Sequence, residues 1–188
     1  MPALQFIAGN DDNRESKLYN PAPLTEVSMR DKQVVQEKVE PNAFNRHSKI
    51  RILVHLVWST QGRMPWITSE IEQELHTYIV GICRRQGCYV VAIGGIENHI
   101  HLLLYLSHAV TVSDLAKNIK GSSSRLACTK LGQEFFQWQR GYAAFGVGPD
   151  QRERVAAYVR NQKHHHSSGE LWAAAEILAD DAPDNESA

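Results

Sequence analysis

The sequence predicts an α+β fold: an antiparallel four-stranded sheet with helices between and after its strands. Apolar side chains recur at every second residue in 49–60 and 97–106, as in β-strands. Between the strand-like segments they recur every three to four positions, which indicates amphipathic helices. A short link between the second and third strands predicts a hairpin. The order β-α-β-β-α-β, followed by one more helix, is that of a ferredoxin-like (RRM-like) sheet.

The first half of this core is a strand over Lys49–Thr60 and a helix that follows a loop with glycine and proline. Ser69 is the predicted N-cap of the helix, and Glu72, three residues later, is its predicted capping-box partner. Apolar residues at helical spacing continue to about Gln86. Gly87 is expected to end the helix.

The second half begins with the hairpin, whose first strand is Cys88–Ile96 and whose second contains the alternating run noted above. Thr111 or Ser113 is expected to open the second helix. Gly121 and the three serines after it are poor helix formers, so we expect a bend there.

The last strand of the core is predicted over Tyr142–Val147. Two glycines and a proline make segment 146–149 a flexible joint. Asp150 is expected to cap a third helix that reaches about Lys163. We interpret the three histidines that follow, 164–166, as the end of this helix rather than as phosphate contacts.

The chain of 188 residues fits one domain with two tails. We expect a polar, mostly disordered arm over 1–46, a core over 47–166 and an acidic tail over 167–188. The core carries 14 basic and 8 acidic residues, which is compatible with a nucleic-acid partner or with an ordinary soluble surface. No signal peptide and no membrane-spanning run is evident, so a cytoplasmic protein without membrane contact is expected.

Two histidines stand at the start of the alternating strand 99–106. Because successive side chains of a strand point to opposite faces, His99 and His101 share one face and lie close enough to hold one metal ion. Histidine is the commonest metal ligand. The alternative is a pair of polar residues at the exposed start of a strand.

A tyrosine and a glutamine are spaced four residues apart in the last predicted helix. Tyr158 and Gln162 therefore share a helix face. A tyrosine with a pKa of about 10 is a weak nucleophile at neutral pH, and a divalent cation that polarises a phosphate would help it. Taken alone, the pair is more simply a packed tyrosine and a solvated glutamine.

Four segments of the core carry a family resemblance: VHLVWST (54–60), ENHIHLLL (97–104), FQWQRGYAAFGV (136–147) and VAAYVRNQKHHH (155–166). Together they resemble the HUH-type single-tyrosine transposases, the insertion-sequence-200-like group. The resemblance covers about residues 47–166. It implies that His99 and His101 bind Mg²⁺ or Mn²⁺, that Gln162 completes the site, and that Tyr158 attacks a DNA phosphate to form a 5′-phosphotyrosine.

The resemblance also implies partners. Members of the group form homodimers, in which the tyrosine helix can dock on the histidine pair of the partner subunit, and bind single-stranded DNA with a hairpin. Basic residues that could grip the phosphates of a hairpin stem are Lys117, Lys120, Arg125 and Arg140.

Other functions remain open at this point. A domesticated, repeat-associated relative would cleave DNA hairpins without moving itself. A non-enzymatic ferredoxin-like module would bind nucleic acid by stacking bases on exposed aromatic residues, but the histidine face of the third strand offers only Tyr105. A metal-binding regulatory domain gives Tyr158 and Gln162 no reason to share a face.

Overall fold

A computed structural model describes residues 50–169 and Trp172. The predicted N-terminal arm and nearly all of the predicted acidic tail lie outside this part of the chain. One-turn 3₁₀ helices occupy Gln61–Arg63 and Pro149–Gln151. The longer elements, in chain order, are β1 (Ile52–Ser59), α1 (Ser69–Arg85), β2 (Tyr89–Ile96), β3 (His99–Leu106), α2 (Val112–Lys130), β4 (Ala143–Gly146), α3 (Arg152–Arg160) and α4 (Gln162–Ser168).

The four strands form one antiparallel sheet in the order β2-β3-β1-β4. The first and third strands are its central neighbours, as the ferredoxin-like order requires, so the predicted fold class is confirmed. Their register pairs Ser59 with His99 and Val57 with His101. The histidines at the start of β3 therefore lie beside the end of β1, in the middle of the sheet.

Helices cover both faces of the sheet at its centre. On one face, Leu56 and Leu102 pack in a core with α1 and α2. On the other face, Leu53 and Leu103 pack against Val155 and other apolar residues of α3. Alternation predicts burial on one face only, and this is wrong for β3, whose first six residues are all buried. α3 therefore forms a third layer of the fold. Burying one leucine side chain, such as that of Leu103, stabilises a fold by about 1.5–3 kcal/mol.

The N-terminus of α1 differs from the prediction by one residue. The helix begins at Ser69, and Thr68 occupies the N-cap position with an extended backbone. The predicted capping box is wrong because the Glu72 carboxylate forms an ion pair with Lys163 of α4 instead. The apolar face predicted for this helix is confirmed, since Leu75 and its neighbours at helical spacing are buried.

α2 is the longest described helix, with 19 residues. Thr111 is its N-cap, and the threonine hydroxyl accepts a hydrogen bond of 3.1 Å from the backbone N–H of Asp114. The helix continues through Gly121 without an interruption. Ser123 contributes here by donating a hydrogen bond of 2.6 Å to the carbonyl of Ile119. Within 50–169, every helix is too short or too polar to cross a membrane.

The last predicted helix is divided into two. α3 ends at Arg160, Asn161 departs from helical geometry with φ −102° and ψ 22°, and α4 begins at Gln162. The sequence gives no glycine or proline signal at this break. The prediction of one continuous helix to Lys163 is therefore wrong, and Tyr158 and Gln162 belong to consecutive helices.

His76 of α1 makes the stability of the fold depend on pH. Burial lowers the pKa of this imidazole from 6.5 to about 4, and the charge of Lys163 lowers it further, while Glu72 opposes the shift. Between pH 6.5 and pH 4, the imidazole of His76 is therefore protonated in the unfolded state but not in the folded state. The contribution of His76 to the free energy of unfolding is fully present above pH 6.5 and is lost progressively as the pH falls towards 4.

We expect wild-type protein to lose more stability than the His76→Gln variant between pH 7.5 and pH 4.5. The difference should be on the order of 1–3 kcal/mol, because the glutamine has no proton to accept. Urea unfolding of both proteins at the two pH values measures it. His108→Gln, at an exposed position, is the control and should follow wild type. Identical pH dependence of wild type and His76→Gln would contradict the assignment.

Candidate active site

β3 presents the two predicted histidines on one face of the sheet. Their ring centroids are 5.0 Å apart, with an interplanar angle of 69°, and both side chains are buried. His99 Nδ1 lies 2.7 Å from Asn98 Oδ1. Because an amide oxygen only accepts hydrogen bonds, this contact puts the proton of a neutral His99 ring on Nδ1 and the lone pair on Nε2. That tautomer is the one that a metal ligand bound through Nε2 requires.

A third buried histidine, His55 of β1, contacts this pair. His55 Nε2 lies 3.0 Å from Nδ1 of His101, and the two rings are nearly parallel with centroids 5.1 Å apart. His55 therefore packs on His101 and lies within hydrogen-bonding distance of it.

α3 brings Tyr158 to the same place. The ring of Tyr158 meets that of His101 edge-on, with centroids 5.9 Å apart. Its side chain is only 6% exposed, and its hydroxyl accepts a hydrogen bond of 3.3 Å from the backbone N–H of Trp172. Tyr158 and the histidine pair therefore lie together within one copy of the chain.

Gln162 opens α4, directly after the break at Asn161. Its side chain is 1% exposed, and its Nε2 donates a hydrogen bond of 3.3 Å to the carbonyl of Tyr158. Its Oε1 is buried and accepts no hydrogen bond from any residue that the structure describes. The amide nitrogen is therefore fixed by the tyrosine helix, while the amide oxygen remains as a candidate ligand.

Two of the three histidines that follow α3 also reach the site. The ring of His165 lies 4.8 Å from that of Tyr158, and the ring of His166 lies 4.9 Å from that of His99. Our interpretation of these residues as a mere helix end missed these contacts. The signal was the spacing: His166 follows Gln162 by four residues, so both point to one side of α4.

The side chains present suit a divalent cation. Imidazole nitrogens and an amide oxygen are ligands that such ions accept, and a buried amide oxygen without a partner costs about 1–3 kcal/mol. A cation at Gln162 Oε1 would remove that cost. Within the described ranges, no cluster of three or more His, Cys, Asp and Glu side chains could hold a metal ion. The predicted set differs from such clusters because its third member is an amide.

A groove of about 430 Å³ lies between α2 and the segment that leads into β4. We call it the α2 groove. Of the four predicted DNA contacts, Arg125 does not line the groove, although its side chain is exposed. The residues that line it are Ser113, Ala116, Lys117, Lys120, Gly121, Ser124, Gln137, Trp138, Gln139, Arg140 and Tyr142.

Lys120 and Trp138 hold the far wall of the α2 groove in place. The Lys120 ammonium donates hydrogen bonds of 2.8 Å to the carbonyls of Arg140 and Gly141, and partial burial lowers the pKa of the lysine. The indole N–H of Trp138 donates a hydrogen bond of 2.9 Å to the hydroxyl of Ser123. The ammonium of Lys120 is therefore engaged with backbone carbonyls. Lys117 and Arg140 are the basic side chains of this groove without such a bond.

A glycine of β2 sets the height of the tyrosine helix above the sheet. A Cβ atom on Gly94 would lie 2.0 Å from the carbonyl oxygen of Val159, next to Tyr158. Arg160 fastens the same turn, since its guanidinium donates a hydrogen bond of 3.1 Å to the carbonyl of Val91. Only a residue without a side chain permits this approach of helix backbone to strand.

Comparisons with known sequences find relatives of this chain. The sequence model of the family described as "Transposase IS200 like" matches residues 48–162. The ISDra2 transposase TnpA of Deinococcus radiodurans is 25% identical in an alignment over 114 residues that covers 57% of this chain and 81% of that protein. The transposase for insertion sequence element IS200 of Salmonella typhimurium is 22% identical in an alignment over 130 residues that covers 66% of this chain and 85% of that protein.

Solved structures are similar as well. A crystal structure of a Deinococcus radiodurans R1 protein assigned as a transposase has a TM-score of 0.50 at 23% identity, over 63% of this chain and 96% of that one. The structure of a REP-associated tyrosine transposase bound to a REP hairpin has a TM-score of 0.49 at 16% identity, over 69% of this chain and 75% of that one. The first similarity shows that the fold is shared.

We expect Gly94→Ala to destabilise the protein by at least about 2 kcal/mol, because the new methyl group overlaps the Val159 carbonyl and α3 has to move. Gly121→Ala is the matched control. A Cβ there meets no atom within 4 Å, so this change within a helix should stabilise by about 0.5–1 kcal/mol. Chemical denaturation measures both variants. A Gly94→Ala protein as stable as wild type would contradict the close approach.

Proposed function

This chain belongs to the IS200-like transposase family, and from that membership we propose that it cleaves and rejoins single-stranded DNA at hairpin-marked ends. The observation that carries the proposal is the contact between the rings of Tyr158 and His101, 5.9 Å apart, which brings together residues 57 positions apart in the chain. A phenol beside paired imidazoles is suited to nucleophilic attack on a phosphate that a metal ion activates.

His99, His101 and Gln162 would hold a divalent cation, Mg²⁺ or Mn²⁺. When bound, such an ion polarises the phosphate and neutralises charge in the transition state. The contact of His99 Nδ1 with Asn98 Oδ1, which leaves Nε2 for a metal, and the buried Oε1 of Gln162 support this assignment. The two histidines come from a rigid central strand, which suits a site that must hold its ligands in fixed positions.

Tyr158 is the proposed nucleophile. Its hydroxyl oxygen attacks the phosphorus of the scissile phosphodiester, the new O–P bond forms, and the bond to the 3′-oxygen breaks. The products are a 5′-phosphotyrosine and a free 3′-OH. The proton that the phenol loses is balanced by the one that the 3′-oxygen gains. Attack by a 3′-OH on the phosphotyrosine reverses the step and joins two strands.

The α2 groove is the proposed contact for the DNA backbone. Lys117 and Arg140 line it with exposed side chains, and phosphates are bound mainly by such cations. Lys120 would act in part by holding the groove wall, given its two backbone hydrogen bonds. Arg125 remains a predicted phosphate contact outside the groove.

A homodimer is part of the same proposal. The segment 146–149 before α3 contains two glycines and a proline, and rotation there would let α3 reach the histidine pair of a partner subunit. The catalytic domain would then extend from residue 47 to 166 in each subunit.

The competing binding module is less well supported. Modules of that kind stack bases on aromatic residues exposed on the sheet. Here α3 covers the histidine face, and His99 and His101 are both buried. A domesticated hairpin nuclease would use the same residues and the same first step, so it differs only in the fate of the DNA.

The proposed nucleophile predicts a covalent adduct. We expect wild-type protein with a labelled single-stranded DNA hairpin and Mn²⁺ to give a protein–DNA band on a denaturing gel, and EDTA to abolish it. Tyr158→Phe should reduce the band at least about 100-fold, because the attacking oxygen is gone.

The matched control is Tyr105→Phe, which removes a hydroxyl from the far end of β3 and should leave the band unchanged. DNA binding without an adduct in wild type would favour the binding module. An adduct that survives in Tyr158→Phe would show that another residue is the nucleophile.

The α2 groove predicts a change in salt dependence. Lys117→Gln should weaken DNA binding and reduce the slope of log K against log salt by about 0.7–0.9, the contribution of one phosphate contact. Fluorescence anisotropy at several salt concentrations measures the slope. Lys130→Gln, at an exposed position of the same helix outside the groove, is the control. Equal slopes for the two variants would exclude the groove as a phosphate contact.

A further inference from the structure

We propose that His55 is a positioning residue, which holds the ring of His101 in the tautomer and orientation that metal binding requires. This inference rests on the metal site proposed above. It concerns a residue of β1 that the proposed mechanism does not otherwise use.

The sheet places the two rings for this contact. His55 lies opposite Leu103, and His101 lies opposite Val57, so the two histidines are diagonal neighbours on the same face of adjacent antiparallel strands. Both side chains are almost fully buried, at 2% and 0% exposure. Their Nε2 and Nδ1 atoms are 3.0 Å apart, which is the distance of a good hydrogen bond.

The proton in this bond can belong to either ring. If His55 Nε2 donates, a neutral His101 carries its proton on Nε2, and that atom cannot ligate a metal ion. If His101 Nδ1 donates to His55 Nε2, the lone pair of His101 lies on its own Nε2. Only the second arrangement agrees with ligation, and His55 is the residue that accepts its proton.

The same arrangement occurs at the other histidine of the pair. Asn98 Oδ1 lies 2.7 Å from Nδ1 of His99 and can only accept. Each imidazole of the pair therefore has Nδ1 held by a neighbouring side chain. Partners of this kind orient metal-bound histidines in proteins, and their loss typically costs 10–100-fold in metal affinity.

His55 also packs on Phe145 of β4, with ring centroids 6.0 Å apart. This contact offers a purely structural explanation for a buried aromatic ring at position 55. The two explanations differ in one respect, because a packing role needs the ring and a positioning role needs its acceptor nitrogen.

Three variants of the full chain separate them, with Mn²⁺ affinity measured by titration calorimetry. His55→Phe keeps a ring and removes the acceptor, and we expect it to weaken Mn²⁺ binding about 10–100-fold. His55→Gln restores an acceptor oxygen at the end of the side chain and should recover most of the affinity. Phe145→Leu disturbs the packing alone and should leave the affinity close to that of wild type.

Nuclear magnetic resonance of metal-free wild type gives a readout that needs no variant. The ¹⁵N shifts of the His101 ring should report a proton on Nδ1, and a proton on Nε2 would overturn the proposal. Wild-type Mn²⁺ affinity in His55→Phe, or affinity in His55→Gln as weak as in His55→Phe, would also overturn it.

The metal site and the positioning role fail in different ways. If wild type does not bind Mn²⁺, or if His99→Ala binds as tightly as wild type, both the proposed metal site and this inference are wrong. If His99→Ala loses affinity and His55→Phe does not, the site stands and only the role of His55 is wrong.

Discussion

The antiparallel pairing of β1 with β3 is the constraint on which the rest of the site depends. It sets His55 diagonal to His101, and it fixes which side of the sheet the imidazoles face. Because side chains alternate along a strand, a shift of β3 by one residue against β1 would move His99 and His101 to the α1 and α2 side, away from His55. The leucines that alternate with the histidines prevent that shift, since they fill the core on the other face.

The second layer of the site is built from backbone as much as from side chains. α3 lies on the sheet where Gly94 leaves room for the carbonyl of Val159, and the break at Asn161 starts a new helix with Gln162 in its first position. In a single straight helix, Gln162 would lie about one turn beyond Tyr158 along the axis of α3. The interruption instead places the tyrosine and the glutamine in separate helices, which the hydrogen bond from Gln162 Nε2 to the Tyr158 carbonyl connects.

Much of the fold could be predicted from the sequence, because alternation and helical spacing are strong in β1, β3 and α1. The packing of α3 on the histidine face was harder to predict, because the histidines interrupt the apolar pattern on that face of β3. The run Leu102-Leu103-Leu104 was the available signal. The break at Asn161 had no local signal at all, since its neighbours suit a helix. The four-residue spacing from Gln162 was the available signal for His166, and the interpretation of the three histidines as a helix end does not use it.

Trp172 stands ten residues beyond Gln162, yet its peptide N–H holds the oxygen on which the proposed chemistry depends. This N–H occupies a lone pair of the oxygen that would attack phosphorus. The attack would therefore include the cost of breaking this bond, about 1 kcal/mol for an ordinary neutral hydrogen bond. Truncated versions that lack Trp172 would therefore have a different baseline rate.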